Sequence, residues 1–155
     1  MSPAKSATAA KPVVPADLDR WLSDNDQRIH DELFEFLRIP SISARSEHTP
    51  DTRRAAHWLA DKLGGIGFTS AVHETPGHPV VLAEWRKAPA GAPTLLIYGH
   101  YDVQPAEPLE LWTSPAFEPT IRDGKLFARG SVDDKGQLWV HVKALEAHLD
   151  RKSVV

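Results

Sequence analysis

The sequence predicts an α/β fold with helices packed on a mixed sheet, and three observations favour it. Apolar residues recur at helical spacing over residues 18–37 and again over 55–63. The stretch TLLIY, residues 94–98, is apolar throughout rather than alternating, which is typical of a strand covered on both faces. A last helical pattern over residues 135–149 follows a predicted hairpin, so helices are expected to pack against strands.

The chain of 155 residues opens on a segment without periodicity. Residues 1–16 are rich in Ala, Pro, Lys and Ser, and we expect a disordered tail there. Residues 17–155 are expected to form one domain or part of one. A first helix is predicted from about Asp17 to a point before Pro40, with this apolar stripe: Leu18, Trp21, Leu22, Ile29, Leu33, Phe36 and Leu37.

A second helix is predicted over residues 49–63. Thr49 suits the N-cap and Pro50 the first helical position, because proline lacks the N–H that this turn leaves unpaired. Gly64 and Gly65 are expected to end the helix.

Strands and a final helix are expected in the rest of the chain. The stretches FTSAVHET and VVLAEW are predicted strands separated by the breaker PGHP. Asp123-Gly124 lies between two extended segments and predicts a two-residue hairpin turn. The last helix has this apolar face: Leu138, Val142, Leu145 and Leu149.

Composition excludes several classes of protein. The formal net charge is -3 with both signs interspersed, so nucleic acid and anionic membranes are not expected partners. There is no cysteine, which excludes disulfides, thiolate catalysis and metal sites built on sulfur. No apolar run approaches the length of a membrane span and the start lacks the apolar core of a secretory signal, so we predict a cytoplasmic location.

A candidate site follows the strand predicted at residues 94–98. His100 and Asp102 come just after it, at the strand end where ligands collect in open α/β sheets, and Gly99 is expected to let the backbone turn there. A neutral imidazole is a common zinc ligand. A carboxylate two residues on can accept a hydrogen bond from the other ring nitrogen and fix the tautomer. Ordinary loop polarity would give the same pattern, so a metal site requires further ligands.

A second group of acidic residues precedes the last helix, at Asp133 and Asp134. One explanation is that one of them caps this helix and lies near its positive end. The other is that one carboxylate bridges two cations, since each of its oxygens can hold a metal. On the residues alone, both explanations stay open.

Two motifs together point to a known family. YGHYDVQP, followed by LWTSPAFEPTIRDGKLFARGSVDDKGQ, resembles the N-terminal part of the catalytic domain of the M20 family of metallopeptidases, in its dipeptidase or carnosinase-like branch. The resemblance runs from about Leu18 to the end of the chain. It implies a truncated, partial zinc-peptidase-type catalytic domain over residues 17–155, with the lid domain and the C-terminal half absent.

The resemblance also implies roles for individual residues. His100 matches the family's first metal ligand, Asp102 its supporting catalytic carboxylate, and Asp133 the carboxylate that bridges two metals. It implies two zinc ions in the complete enzyme, with manganese or cobalt as alternatives, and a cis peptide bond between Asp133 and Asp134. It assigns no role to Asp134 and no residue to an organic cofactor.

The family's activity also depends on groups that find no counterpart here: a Glu-Glu pair that supplies the general base, a further acidic ligand and a distant histidine. A catalytic zinc usually takes three protein ligands, and peptide hydrolysis needs a proton acceptor. We therefore expect the N-terminal fragment of a two-metal dipeptidase that acts on dipeptides or small peptides. By itself the 155-residue chain is expected to bind metal weakly and to hydrolyse nothing.

Two alternatives stay open. One is a deacylase of N-acyl amino acids within the same family, and the other is a non-catalytic α/β fragment that needs a complementary chain. If apolar surface is left uncovered, the chain is expected to form a homodimer or to associate through an exposed sheet edge.

Overall fold

The computed structural model describes residues 14–151. Within this range there are three α-helices: α1 (Ala16–Leu37), α2 (Thr49–Gly65) and α3 (Lys135–Asp150). The strands are β1 (Thr69–His73), β2 (Val80–Glu84), β3 (Thr120–Arg122) and β4 (Lys125–Phe127), and short 3-10 helices lie at Ser46–His48 and Leu109–Leu111. Of the tail expected over residues 1–16, residues 1–13 lie outside the described part, and helix α1 already begins at Ala16.

Both N-terminal helices are confirmed, with different ends for the second. Thr49 is the first residue of α2 rather than its cap, because His48 occupies the N-cap position. The helix also extends two residues beyond Leu63, its predicted last residue, and ends at Gly65. The chain leaves α2 at Gly67, where the amides of Gly67 and Phe68 donate to the carbonyls of the last turn in a Schellman arrangement.

Four of the predicted strands and the Asp123-Gly124 turn are confirmed. Strands β1 and β2 pair antiparallel from Thr69↔Glu84 to His73↔Val80. Strands β3 and β4 pair on either side of Asp123-Gly124, whose φ angles of 50° and 71° are those of a type I′ hairpin turn. Within the described residues the strands form two separate two-stranded sheets. The predicted α/β class is therefore confirmed, but the strands do not join in the one sheet that was expected.

The prediction of a strand at residues 94–98 is wrong. These residues belong to no strand, and the side chains of Leu95, Leu96 and Tyr98 are 79%, 86% and 85% exposed. A strand is buried only when neighbours bond to both edges and helices cover both faces. Within residues 14–151 no strand runs beside this segment, and the nearest pairing is a single parallel bridge between Ile42 and Val103.

The core lies between the three helices. Phe36 of α1 stacks on Trp58 of α2 with ring centroids 4.7 Å apart, and Trp58 also meets Trp139 of α3 at 5.4 Å. The indole of Trp139 donates to the carbonyl of Ile29. On the face predicted for α3, Val142 is buried, whereas Leu145 and Leu149 are only partly buried. Trp139, which was not assigned to that face, is buried instead. No helix among the described residues is long and apolar enough to cross a membrane.

A buried lysine joins the start of α3 to the end of α1. The side chain of Lys135 is fully buried, and its Nζ donates to the carbonyls of Phe36 at 2.8 Å and Ile39 at 2.7 Å. Burial, aided by the positive charge of Arg54, lowers the pKa of Lys135 to about 7. Because Lys135 directly follows Asp133 and Asp134, this anchor fixes where the candidate site begins.

Candidate metal centre

The acidic half of the site lies on a tight loop before α3. The amide of Gly136 donates to the carbonyl of Gly130 at 3.2 Å, which closes the loop on itself. The backbone is so crowded that a Cβ on Gly136 would lie 2.0 Å from the carbonyl oxygen of Ser131. The peptide bond between Asp133 and Asp134 is cis, as the family resemblance implied.

The histidine half of the site packs directly against this loop. A Cβ on Gly99 would lie 2.9 Å from Cδ1 of Leu138 and 3.1 Å from Oδ2 of Asp134. The glycine is therefore required for a close approach to α3, rather than for the turn expected from the sequence. This approach carries His100 to the beginning of the helix.

The structure brings together all three residues predicted for the site. Nε2 of His100 lies 2.9 Å from Oδ1 of Asp133. Nδ1 of His100 lies 3.1 Å from both Oδ1 and the backbone carbonyl oxygen of Asp102. The side chains of His100 and Asp102 are 40% and 38% exposed and that of Asp133 is 76% exposed, so the cluster is open to solvent.

Asp134 has a clear place that the sequence did not reveal. Its Oδ2 accepts a hydrogen bond of 3.1 Å from the backbone amide of His100. Its backbone carbonyl accepts from Leu138 in the first turn of α3, while its side chain makes no capping bond. Asp134 therefore fixes the main chain of the histidine. Two adjacent aspartates before a helix signalled the position, but nothing in the sequence identified the partner.

Ser43 is a second polar neighbour that the sequence analysis missed. Its hydroxyl donates to Oδ2 of Asp102, the oxygen that faces away from His100. Ser43 belongs to the polar connection after α1, where no residue spacing or motif marks it. The contact joins residues 59 positions apart, so only the folded chain shows it.

The charges around His100 favour its protonated form. Partial burial acts to lower the pKa of His100, but hydrogen bonds to the Asp102 carbonyl and the Asp133 carboxylate outweigh it, together with the charges of Asp102 and Asp134. The net effect raises the pKa of His100 above its usual value. A proton and a metal ion compete for the same ring nitrogen, so metal binding here would release a proton.

The donors fit part of a metal site. Zinc–ligand distances of about 2.0 to 2.2 Å put two donors of one tetrahedral ion roughly 3.3 to 3.6 Å apart. The 2.9 Å between His100 Nε2 and Asp133 Oδ1 is a hydrogen-bond distance, so the two atoms would have to separate by about half an ångström to hold one ion. Imidazole nitrogen and carboxylate oxygen are both zinc ligands, and manganese and cobalt accept them too. Among residues 14–151, however, no group of three or more His, Asp or Glu side chains is arranged to hold a metal ion.

Known proteins resemble the chain in sequence and in fold. Residues 96–154 match peptidase family M20/M25/M40. Cysteinylglycine-S-conjugate dipeptidase of Corynebacterium striatum is 35% identical over 124 residues, which cover 80% of this chain and 27% of that protein. Succinyl-diaminopimelate desuccinylase of Aromatoleum aromaticum is 40% identical over 111 residues, which cover 72% and 28%. Human carnosine dipeptidase 1 superposes with a TM-score of 0.80 at 27% identity, covering 88% and 31%.

These likenesses are to peptidases and to a related hydrolase that removes an acyl group. The chain matches the M20 family of peptidases over residues 96–154, and its fold is that of M20 peptidase domains. It spans 27% and 28% of the two curated relatives, so less than a third of their length.

Proposed function

We propose that the chain contributes His100 and Asp133 to the two-metal centre of a dipeptidase that acts on dipeptides or small peptides. The observation that carries this proposal is the 2.9 Å contact between His100 Nε2 and Asp133 Oδ1, with Asp102 at the other ring nitrogen. Relatives named as dipeptidases support the peptide substrate. The cytoplasmic location expected from the sequence stays a prediction.

Each residue of the cluster has a chemical role in this proposal. Asp102 would hold a proton on Nδ1 of His100, which leaves the Nε2 lone pair available to a metal and makes it more basic. Asp133 offers two oxygens, enough to reach two ions, while Asp134 holds the backbone of His100. When bound, a pair of zinc ions would supply an acidified water and a positive charge near the peptide carbonyl.

The first test is metal analysis of the purified chain. We expect the His100→Ala and Asp133→Asn variants to retain clearly less zinc than wild type after dialysis, as measured by mass spectrometry. The two variants should also retain less manganese and less cobalt than wild type. His141→Ala is the matched control, because His141 is an exposed histidine on α3 away from the cluster. Equal metal content in all four proteins would contradict the proposal. It would favour instead a non-catalytic α/β unit that needs a complementary chain.

The second test concerns activity. Among residues 14–151, no third His, Asp or Glu side chain joins His100 and Asp133 in an arrangement that could hold a metal ion, and the nearby carboxylates of Asp102 and Asp134 both contact His100. We therefore propose that the 155-residue chain by itself hydrolyses nothing. Dipeptide cleavage by the purified chain with added zinc, abolished by His100→Ala, would contradict this.

A second candidate function is removal of an N-acyl group from an amino acid. The specific observation in its favour is the 40% identity to a protein named as a desuccinylase. Binding discriminates the two: with the zinc-loaded chain, we expect a dipeptide to shift the ring resonances of His100 in NMR spectra and an N-succinyl amino acid to leave them unchanged. The reverse result would favour the deacylase.

We also propose that the chain associates with itself, as a homodimer or through an exposed sheet edge. The support is the unpaired apolar segment at residues 94–98 and the open ribbon of β1 and β2, on which Val80 and Leu82 are half exposed. Unpaired edges and contiguous apolar surface favour association.

A further inference from the structure

We propose that Ser43 is a positioning residue for His100 and acts through the carboxylate of Asp102. The hydroxyl of Ser43 donates to Oδ2 of Asp102, and Oδ1 of the same carboxylate lies 3.1 Å from Nδ1 of His100. The two oxygens therefore have different partners, one on each side. The expected effect of Ser43 on metal binding rests on the proposed function. Its expected effect on the tautomer of the His100 imidazole does not.

The backbone places Ser43 from both sides. Residues 41–43 run parallel to residues 101–103, with a bridge between Ile42 and Val103 and a 2.9 Å hydrogen bond from the Val103 amide to the Ser41 carbonyl. On the opposite side, Nε2 of His78 lies 2.9 Å from the carbonyl oxygen of Ser43. Because its main chain is held on both sides, the hydroxyl of Ser43 stays within reach of Asp102.

The hydroxyl fixes the orientation of a group that would otherwise rotate. The side chain of Asp102 is 38% exposed, and the terminal torsion of an aspartate is broad. With Oδ2 bonded to Ser43, Oδ1 stays directed at Nδ1 of His100 and favours the tautomer with the proton on Nδ1. The carboxylate of Asp133 at Nε2 favours the opposite tautomer, so the two carboxylates act on the tautomer ratio in opposite directions.

Loss of the Ser43 hydroxyl should shift this balance without abolishing the contact. The backbone carbonyl of Asp102 is a second acceptor for Nδ1, also at 3.1 Å, and it does not depend on Ser43. We therefore expect a change of about threefold in the tautomer ratio, corresponding to part of one hydrogen bond. For zinc affinity we expect a loss of about threefold as well, because only the tautomer with a free lone pair on Nε2 binds the metal.

The test compares wild type with Ser43→Ala, Ser43→Thr and Ser41→Ala. Ring ¹⁵N shifts of His100, recorded without metal at one alkaline pH where the ring is neutral, give the tautomer ratio, and a zinc titration gives the affinity. Ser43→Ala should change both, whereas Ser43→Thr keeps the hydroxyl and should match wild type. Ser41→Ala is the matched control, because the Ser41 hydroxyl donates to the Tyr101 carbonyl on the same segment and does not touch Asp102.

The outcomes separate this inference from the proposed function. If Ser43→Ala keeps the wild-type ratio while Asp102→Asn changes it, Ser43 has no positioning role and the inference fails, whatever the chain does with zinc. If Ser43→Ala shifts the ratio but zinc leaves the His100 resonances of wild type unchanged, the positioning role stands and the metal proposal fails. Should Ser43→Ala not fold, Ser43→Cys, with a similar shape and a weaker donor, must shift the ratio in the same direction.

Discussion

At the scale of single residues, the candidate centre depends on how closely backbone segments approach one another. The Gly136 backbone lies against the Ser131 carbonyl, and the Gly99 backbone lies against Leu138 and Asp134. These approaches put Asp133 and His100 within hydrogen-bonding distance. The buried amine of Lys135 holds the same loop to the end of α1. The geometry of the site is therefore set by two glycines and by one buried lysine next to it.

Substitution of Gly136 should unfold this loop. A Cβ there would lie 2.0 Å from a backbone oxygen, which cannot move away as a side chain could. We expect Gly136→Ala to lower the free energy of unfolding by about 3 kcal/mol. Urea unfolding followed by circular dichroism measures this.

Gly64→Ala is the matched control for that experiment. Gly64 lies within α2, and a Cβ on it would meet nothing within 4 Å. Alanine is the better helix former, so this variant should be more stable than wild type by about 0.5 to 1 kcal/mol. Equal urea midpoints for the Gly136→Ala and Gly64→Ala variants would contradict the destabilising effect expected from a Cβ at residue 136.

At the scale of elements, residues 94–98 show why an apolar run does not by itself make a strand. The pattern was that of a strand buried on both faces, yet the segment lies outside the strands of the described structure and exposes its leucines. A strand is buried only where neighbouring segments cover it, and no strand between residues 14 and 151 pairs with residues 94–98. The segment therefore remains apolar surface of the kind that mediates association.

Removal of apolar surface from this segment should reduce self-association. We expect Leu96→Lys to lower the average mass of the purified chain in sedimentation velocity, because a charge opposes edge-to-edge contact. Leu111→Lys is the matched control, since Leu111 is 77% exposed on a separate 3-10 helix. A wild-type chain that sediments as a monomer at all concentrations would contradict the proposed association.

At the scale of the whole molecule, a charged cluster joins the three helices. Glu32 of α1 accepts hydrogen bonds from Lys62 of α2 at 3.1 Å and from Lys143 of α3. Glu146 pairs with both Lys143 and Arg28, which links α3 back to α1. Partial burial acts to raise the pKa of Glu32, but the two lysines outweigh it and hold that pKa below its usual value.

The cluster predicts a loss of stability in acid. Because the pKa of Glu32 is depressed in the folded chain, its contribution is fully present above the unfolded value of 4.5 and is lost as the pH falls through the folded value. We expect Glu32→Gln to cost about 1 kcal/mol near neutral pH, since partial exposure screens the pair. Urea unfolding at about pH 7 and about pH 3 should show the difference from wild type shrinking in acid.

Glu35→Gln controls for the general effect of removing a carboxylate from α1. Glu35 lies on the same helix, is 58% exposed, and approaches Lys62 only at 3.8 Å. Its variant should stay within a few tenths of a kcal/mol of wild type at both pH values. A Glu32→Gln variant that behaves in the same way would show that the cluster contributes nothing.

Much of the fold and part of the site could be predicted from local patterns. The spacing of apolar residues gave α1 and α2, and Asp123-Gly124 gave its hairpin turn, because helix faces and tight turns depend on residues a few positions apart. The resemblance of two motifs to the M20 family identified His100, Asp102 and Asp133, which the structure brings together. Their roles as ligands and as catalytic support remain predictions.

By itself, then, the sequence determined the helices, the hairpins and which side chains could serve as metal donors. Only the tertiary structure decided that Ser43 holds Asp102, that Asp134 holds the backbone of His100, and that residues 94–98 lie exposed. The reason is distance along the chain. Local periodicity acts over one or two turns, whereas these hydrogen bonds join residues 59 and 34 positions apart, and burial depends on what packs nearby.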